Sequence, residues 1–457
     1  MRDAAFVATM VLLLPLAVAR PFVGVLLLTW FLLMGPERLV YGPVASMPWL
    51  LMVFAATLFG CLLAGEPRRL PLNATTLLIL ALMALFTVTA LAAPGNPAAG
   101  LAKWEGIETT LVALLLTASL LTERRRLHAL VWVMVIAIGY YGVRSGVLSA
   151  VSGGAYRQWA PEGLPIAESG PLATAVVVTL PLMNYLRLQS RNAVARIGLV
   201  GAMGLCLLAV LASGSRGALL ALAAACAAYG WTGGRRALPT GLATAALAVT
   251  LVIFPVLLPL AGGVGAAVDL TGAAPSAAER LAAWETALRL ALAHPLSGAG
   301  FAGLSDGAVV GIVSPGSPGR AAGSIWFEVL GEAGFLALAG WVALSLTGLL
   351  QARRLAALPQ ERTELAWARD LGRMAIVSIV AYLVGGSFFS LAYWHFPWVL
   401  IVAVASTAVI MRRSEVMADA RRDGWFPRVT GGLPEEAVAP ELLPDVSGIV
   451  RSAAVAR

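Results

Sequence analysis

Two glutamates, Glu328 and Glu332, stand four residues apart in the apolar stretch Gly323-Ser324-Ile325-Trp326-Phe327-Glu328-Val329-Leu330-Gly331-Glu332. That separation puts both carboxylates on one face of a helix. Ionised carboxylates inside a spanning helix are costly, so they face a cavity or a partner. Two readings are open. The pair stabilises the positive end of its helix and pairs with nearby arginines, or it supplies an acid, a base or an acceptor-binding group. Glu332 is the deeper and more informative of the two, and Ser324 opens the same stretch.

Arginines could meet an anion on the same side. Arg216 lies in Ser213-Gly214-Ser215-Arg216-Gly217, and Arg280 and Arg289 flank a stripe of Leu281, Trp284, Leu288 and Leu292. A guanidinium suits a diphosphate because its planar fork donates two charge-assisted hydrogen bonds and stays charged in a low dielectric. The plainer reading is a helix–helix turn and snorkelling side chains. Arg144, beside Tyr140 and Tyr141, lines a cavity or snorkels. Glu168 is explained by a helix N-terminus, and His395 by an interfacial aromatic belt in Tyr393-Trp394-His395-Phe396-Pro397.

The elements that must position these residues follow from composition. Of 457 residues 59% are hydrophobic and only 12% are charged, where a soluble domain is roughly a quarter charged. Together with a mean hydropathy of +0.85, this excludes a soluble enzyme. The apolar residues come in long runs without alternation, which excludes an outer-membrane barrel. An all-α polytopic transmembrane bundle remains, and at about 20 residues per span the runs allow twelve or thirteen crossings.

The net charge of +8 does not mark a nucleic-acid binder. Arginine clusters at 68–69, 124–126, 187–196, 235–236, 353–373 and 412–413 fall in alternate loops, as expected of cytoplasmic loops. Lys103 is the only lysine. Cys61, Cys206 and Cys226 give neither a disulfide frame nor metal-ligand spacing.

The chain divides into an amino-terminal transmembrane bundle (1–262), a large external loop (263–322), carboxy-terminal transmembrane helices (323–413) and a loosely ordered cytoplasmic tail (414–457). The first run, 4–19, is short, and Ala17-Val18-Ala19 is similar to a signal-peptidase site. Cleavage there would leave Arg20 outside, whereas the next run, 21–34, needs it inside, so both runs are kept as spans or a hairpin. In the loop, Ser276-Ala277-Ala278-Glu279 forms a capping box that opens an amphipathic helix over 276–294, ended by Pro295. That helix lies on the outer bilayer surface or caps the bundle. Gly298, Gly300 and Gly303 then form a flexible turn.

These features resemble bacterial O-antigen ligase and polymerase proteins: the late external loop, Ser215-Arg216-Gly217, the Arg280 to Trp284 helix, and the Ser-x-x-Phe-Glu-x-x-Gly-Glu-x-Gly stretch at 324–334. Arg-Pro-Phe-Val-Gly-Val (20–25) and the Ser-Ile-Trp-Phe-Glu-Val-Leu-Gly-Glu block resemble one branch, the exosortase-associated O-glycosylation ligases. The resemblance implies a GT-C-type glycosyltransferase of the bacterial inner membrane. Such an enzyme moves a glycan from undecaprenyl diphosphate to an acceptor hydroxyl on a glycan, lipid or protein at the external face. It implies diphosphate binding by Arg216 and Arg280 among surrounding membrane lipids, with no metal, cofactor or nucleic acid.

The family's ligase motif has histidine where Gly323 stands here, and Ser324 and Gly334 fit its next positions. A substitute base could be Glu328 or Glu332, or His294 or His395 from another loop. Two other classes stay open: a flippase or transporter of polyprenyl-linked glycan, and a non-catalytic member that lacks the histidine.

Overall fold

A computed structural model of the chain describes residues 2–63, 70–92, 97–153, 158–233, 277–315 and 319–422. Among these residues the regular elements are helices, with no strand. They are α1 (Arg2–Ala19), α2 (Pro21–Met34), α3 (Trp49–Leu63), α4 (Ala74–Ala92), α5 (Pro97–Leu120), α6 (Arg124–Val151) and α7 (Ser169–Gln189). There follow α8 (Ala193–Ala212), α9 (Arg216–Thr232), α10 (Ala277–Ala293), α11 (Gly307–Val313), α12 (Ile325–Ala356), α13 (Ala366–Gly386) and α14 (His395–Arg422). The run 239–262, the capping Ser276 and the tail beyond residue 422 lie outside the described residues. All the candidate residues belong to one compact unit, Met1–Ile410.

The protein is a multi-pass helical membrane protein. Among the described residues six helices are long and apolar enough to cross a membrane: α4, α6, α7, α8, α12 and the 395–412 part of α14. The expectation of twelve or thirteen spans counts every apolar run, and the remaining helices show why that count runs higher. The shorter apolar helices are α1, α2 and α3. At 14 residues α2 rises only about 21 Å, less than the ~30 Å hydrocarbon core. Charge sets α5 and α13 apart, since α5 carries Lys103, Glu105 and Glu108 and α13 carries Arg369, Asp370 and Arg373.

The core is built around α13, which packs on α7, α9 and α12, while α12 also packs on α4 and α10. By contrast α8 exposes Val194, Ile197, Val200, Leu207, Leu208 and Leu211, the apolar face a helix turns to lipid. The helix starts are locally encoded. Asn192 caps α8 through Val194 N–H (2.9 Å), and Ser215 caps α9 through Ala218 N–H (3.3 Å).

One interruption positions the site. Inside α12, Gly334 adopts φ 80° and ψ −175°, a left-handed region that favours glycine. A Cβ there would strike the Pro295 carbonyl oxygen. The interruption takes the Phe335 N–H away from the helix and gives it to Pro295 O at 2.9 Å. The Gly331 and Glu332 carbonyls then accept from Ala299 N–H (2.7 Å) and Gly300 N–H (2.9 Å). Three backbone groups at the interruption thus find partners in the turn after α10, as buried backbone groups require. The glycine-rich turn serves as a clasp on α12.

Candidate functional site

Three helix N-termini meet at one end of the bundle around the turn between α13 and α14. From α12, Gly323 N–H donates to Ser390 Oγ (3.1 Å) and Trp326 Nε1 donates to Ser387 Oγ (2.8 Å). From α9, Gly217 is packed so closely on Phe388 and Phe389 that a Cβ would reach them at 2.9–3.1 Å. From α7, Gly170 packs on the Phe389 ring and near Ser215 Oγ. The positive ends of three helices therefore face one small region. Arg124 lies at the opposite end of α7, where it donates to Gln189 Oε1 (3.3 Å) and Gln189 donates to Asp370 Oδ2 (2.9 Å).

The long loop reaches this region through α10. Its Arg280 Nη1 donates to the Phe388 carbonyl at 2.8 Å. Trp284 stacks on Phe327 of α12, with ring centroids 5.0 Å apart and planes 6° from parallel, and its Nε1 donates to Ala322 O at 3.0 Å. Underneath, Ala287 and Leu290 join Ala299, Leu304, Val309, Val310 and Ala322 in a small core. The leucine stripe read from the sequence faces the other way: Leu281, Leu288 and Leu292 are exposed. The helix seals the bundle with Ala287, Leu290 and Ala291 and leaves Leu281, Leu288 and Leu292 exposed.

The candidate residues divide by location. Arg216 is the exposed first residue of α9, beside the packed Gly217. Arg280 is half-buried, and a Cβ at Gly323 would come within 3.8 Å of its Nη1. These two arginines, Ser324 and Trp284 all adjoin the 387–390 turn or the start of α12. Ser324 is buried, in extended conformation ahead of α12, with no capping hydrogen bond from its side chain. Arg289 is directed elsewhere: its Nη2 pairs with Glu285 four residues back at 2.6 Å, and its Nη1 donates to Val313 O at 3.4 Å. Arg144 on α6 lies over the Trp159 ring, 5.0 Å from its centroid.

Glu328 and Glu332 are buried, and their cation is a lysine, where the sequence pointed to arginines. Lys103 Nζ of α5 donates to Glu332 Oε1 and Oε2 at 2.8 and 2.9 Å and to Glu328 Oε1 at 3.2 Å. Backbone groups hold the carboxylates as well: Ala302 N–H donates to Glu332 Oε1 (3.3 Å) and Ala392 N–H to Glu328 Oε2 (3.1 Å). The Tyr393 ring covers the ammonium, 5.1 Å from its centroid. Sequence reasoning missed Lys103. The available signal was a single lysine in an otherwise all-arginine basic set, together with two carboxylates in a span that need a cation.

The two histidines offered as substitute bases lie apart from Arg280 or are enclosed. His294 is exposed, roughly 20 Å along α10 from Arg280 at 1.5 Å per residue. His395 is 3% exposed at the start of α14, and neither of its ring nitrogens has a hydrogen-bond partner among the described residues.

Two known families match parts of the chain. Residues 1–191 match the model of a family of unknown function (DUF5935), and residues 201–342 match the O-antigen ligase family model. A search of curated proteins finds no match. The O-antigen ligase match contains Arg216, Arg280, Trp284, Ser324, Glu328 and Glu332, and it ends within α12. The chain is therefore similar to the O-antigen ligase family over residues 201–342 and to a family of unknown function over residues 1–191.

Proposed function

We propose that the protein is an integral-membrane glycosyltransferase that moves a glycan from undecaprenyl diphosphate to an acceptor hydroxyl at the external face of the bacterial inner membrane. The observation that carries this reading is the grouping of Arg216, Arg280, Gly323 and Ser324 with three helix N-termini around the 387–390 turn. Such a region attracts a diphosphate through oriented backbone dipoles and two guanidinium groups. The match of residues 201–342 to O-antigen ligase supplies the reaction class.

In this reading the acceptor oxygen attacks the anomeric carbon, the bond from that carbon to the diphosphate breaks, and the acceptor proton passes to a base or to water. Arg216 and Arg280 stabilise the charge that develops on the departing diphosphate, which is where fixed donors gain most. The exposed leucines of α10 rest in the outer leaflet beside the polyprenyl chain. Reaction needs neither metal nor nucleotide. We place the protein with the exosortase-associated branch on the 20–25 and 324–332 blocks, and its role in surface polysaccharide assembly or O-glycosylation.

The test is complementation of a host that lacks the chain, scored by glycan transfer. Wild type restores transfer, and Arg216→Ala and Arg280→Ala each lose it. If wild type and both variants leave transfer at the level of the deletion, the transferase reading fails. Transbilayer flux of labelled lipid-linked sugar in proteoliposomes, without transfer, would instead favour a flippase.

A further inference from the structure

Lys103 ties together parts of the chain that are distant in sequence. Its three ammonium hydrogens meet three carboxylate oxygens, two from Glu332 and one from Glu328. Glu328 Oε2, the remaining oxygen, accepts from Ala392 N–H, and Glu332 Oε1 also accepts from Ala302 N–H. All four carboxylate oxygens are engaged. The cluster thereby links α5, α12, the clasp that follows α10, and the 387–394 turn. That same turn receives Arg280 at Phe388, Gly323 at Ser390 and Trp326 at Ser387.

We propose that Lys103, Glu328 and Glu332 form a positioning cluster that holds the outer end of α12 and the 387–394 turn in register with Arg280, and that neither glutamate is the acid or base of transfer. This rests on the transferase reading and deepens it. A general base needs an oxygen within about 3 Å of the acceptor proton, directly or through one water. Here the glutamate side chains are 8% and 4% exposed and their oxygens already have donors. A compact ammonium with three donors satisfies two converging carboxylates at one point, whereas the planar fork of arginine is built for one carboxylate at a time.

The chemistry separates a holding role from a proton-transfer role. Lys103→Met leaves two carboxylates facing each other without a cation. The neutral triple variant Lys103→Met/Glu328→Gln/Glu332→Gln removes that repulsion and keeps side-chain volume. Thermal midpoint, transfer rate and the pH–rate profile are measured for the full chain in lipid nanodiscs. Lys103→Met is expected to lower the midpoint and to cut transfer roughly tenfold to a hundredfold, as small misplacements of a catalytic site do. The triple variant is expected to regain midpoint and most of the transfer, with the acidic limb of its pH–rate profile unchanged.

A triple variant that regains its midpoint but not its transfer would overturn the proposal, because a carboxylate would then be needed chemically. Should the triple variant fail to fold, Glu328→Gln and Glu332→Gln decide singly. Retained transfer with the parental acidic limb supports positioning, and lost transfer at an unchanged midpoint overturns it. A parent chain without transfer would defeat the transferase reading. Recovery of the midpoint in the triple variant still tests the cluster independently, and a folded triple variant with a midpoint no higher than Lys103→Met would overturn the positioning cluster.

Discussion

At the residue scale, the arginines that looked equivalent in sequence are not equivalent in place. Arg280 reaches the turn that gathers α7, α9 and α12, whereas Arg289, on the same helix, is occupied by Glu285 at the exposed surface. An exposed ion pair of this kind contributes only about 0–1 kcal/mol. Arg280→Ala and Arg216→Ala are therefore expected to reduce transfer about a hundredfold, the cost of removing one well-placed donor to a developing anion. Arg289→Ala should stay within a few-fold of wild type. Rates with a labelled lipid-linked donor check this, and equal losses for all three would show that the arginines act as a diffuse basic surface. The chemistry of these side chains was legible in the sequence. The choice among them was not, because it depends on which helix face the 387–390 turn meets. Lys103 was illegible for the same reason: it pairs with carboxylates more than two hundred positions away.

At the element scale, two glycines with left-handed backbone fill different roles, and substitution separates them. Gly323 has φ 61° and open space, with the nearest atom to a Cβ being Arg280 Nη1 at 3.8 Å. Gly334 has φ 80° and its Cβ would strike the Pro295 carbonyl. Gly323→Ala is expected to cost about 1 kcal/mol, the strain of a left-handed residue, and Gly334→Ala about 3 kcal/mol or more because backbone must also move. Thermal midpoints of the purified variants test the order, and a reversed order would refute the clasp between α10 and α12.

Trp284→Ala removes the stack on Phe327 and the bond to Ala322, so α10 should loosen from α12. A stability loss of about 2 kcal/mol is expected for a half-buried tryptophan, with a raised KM for the donor. Unchanged proteolytic sensitivity of the α10 region would contradict it. The helix itself was readable from its 3.6-residue apolar spacing. Its burial was not, since Ala287, Leu290 and Ala291 pack inward while Leu281, Leu288 and Leu292 face outward.

At the scale of the whole molecule, the all-helical membrane architecture followed directly from long apolar runs, because a bilayer requires every backbone group to be satisfied within its own helix. The number of crossings did not follow so readily. Short helices such as α2 and charged ones such as α5 satisfy the packing of the bundle without satisfying the length and composition of a simple span. Orientation is testable with single cysteines in a chain whose three native cysteines are replaced. Glu162→Cys, at an exposed position between α6 and α7, should react with a membrane-impermeant maleimide in intact cells freed of their outer barrier. Asn192→Cys, at the cap of α8, should react only after the membrane is permeabilised. The opposite pattern would invert the bundle and move the arginine site to the cytoplasm.

The measurement closest to the central claim is transfer by the purified full-length chain in proteoliposomes that contain an undecaprenyl-diphosphate-linked glycan and an acceptor. We expect free undecaprenyl diphosphate to appear in step with the glycosylated acceptor. Both should fall about a hundredfold in Arg280→Ala while the protein keeps its thermal midpoint. Release at the wild-type rate in that variant, or no release from the wild-type chain, would contradict it.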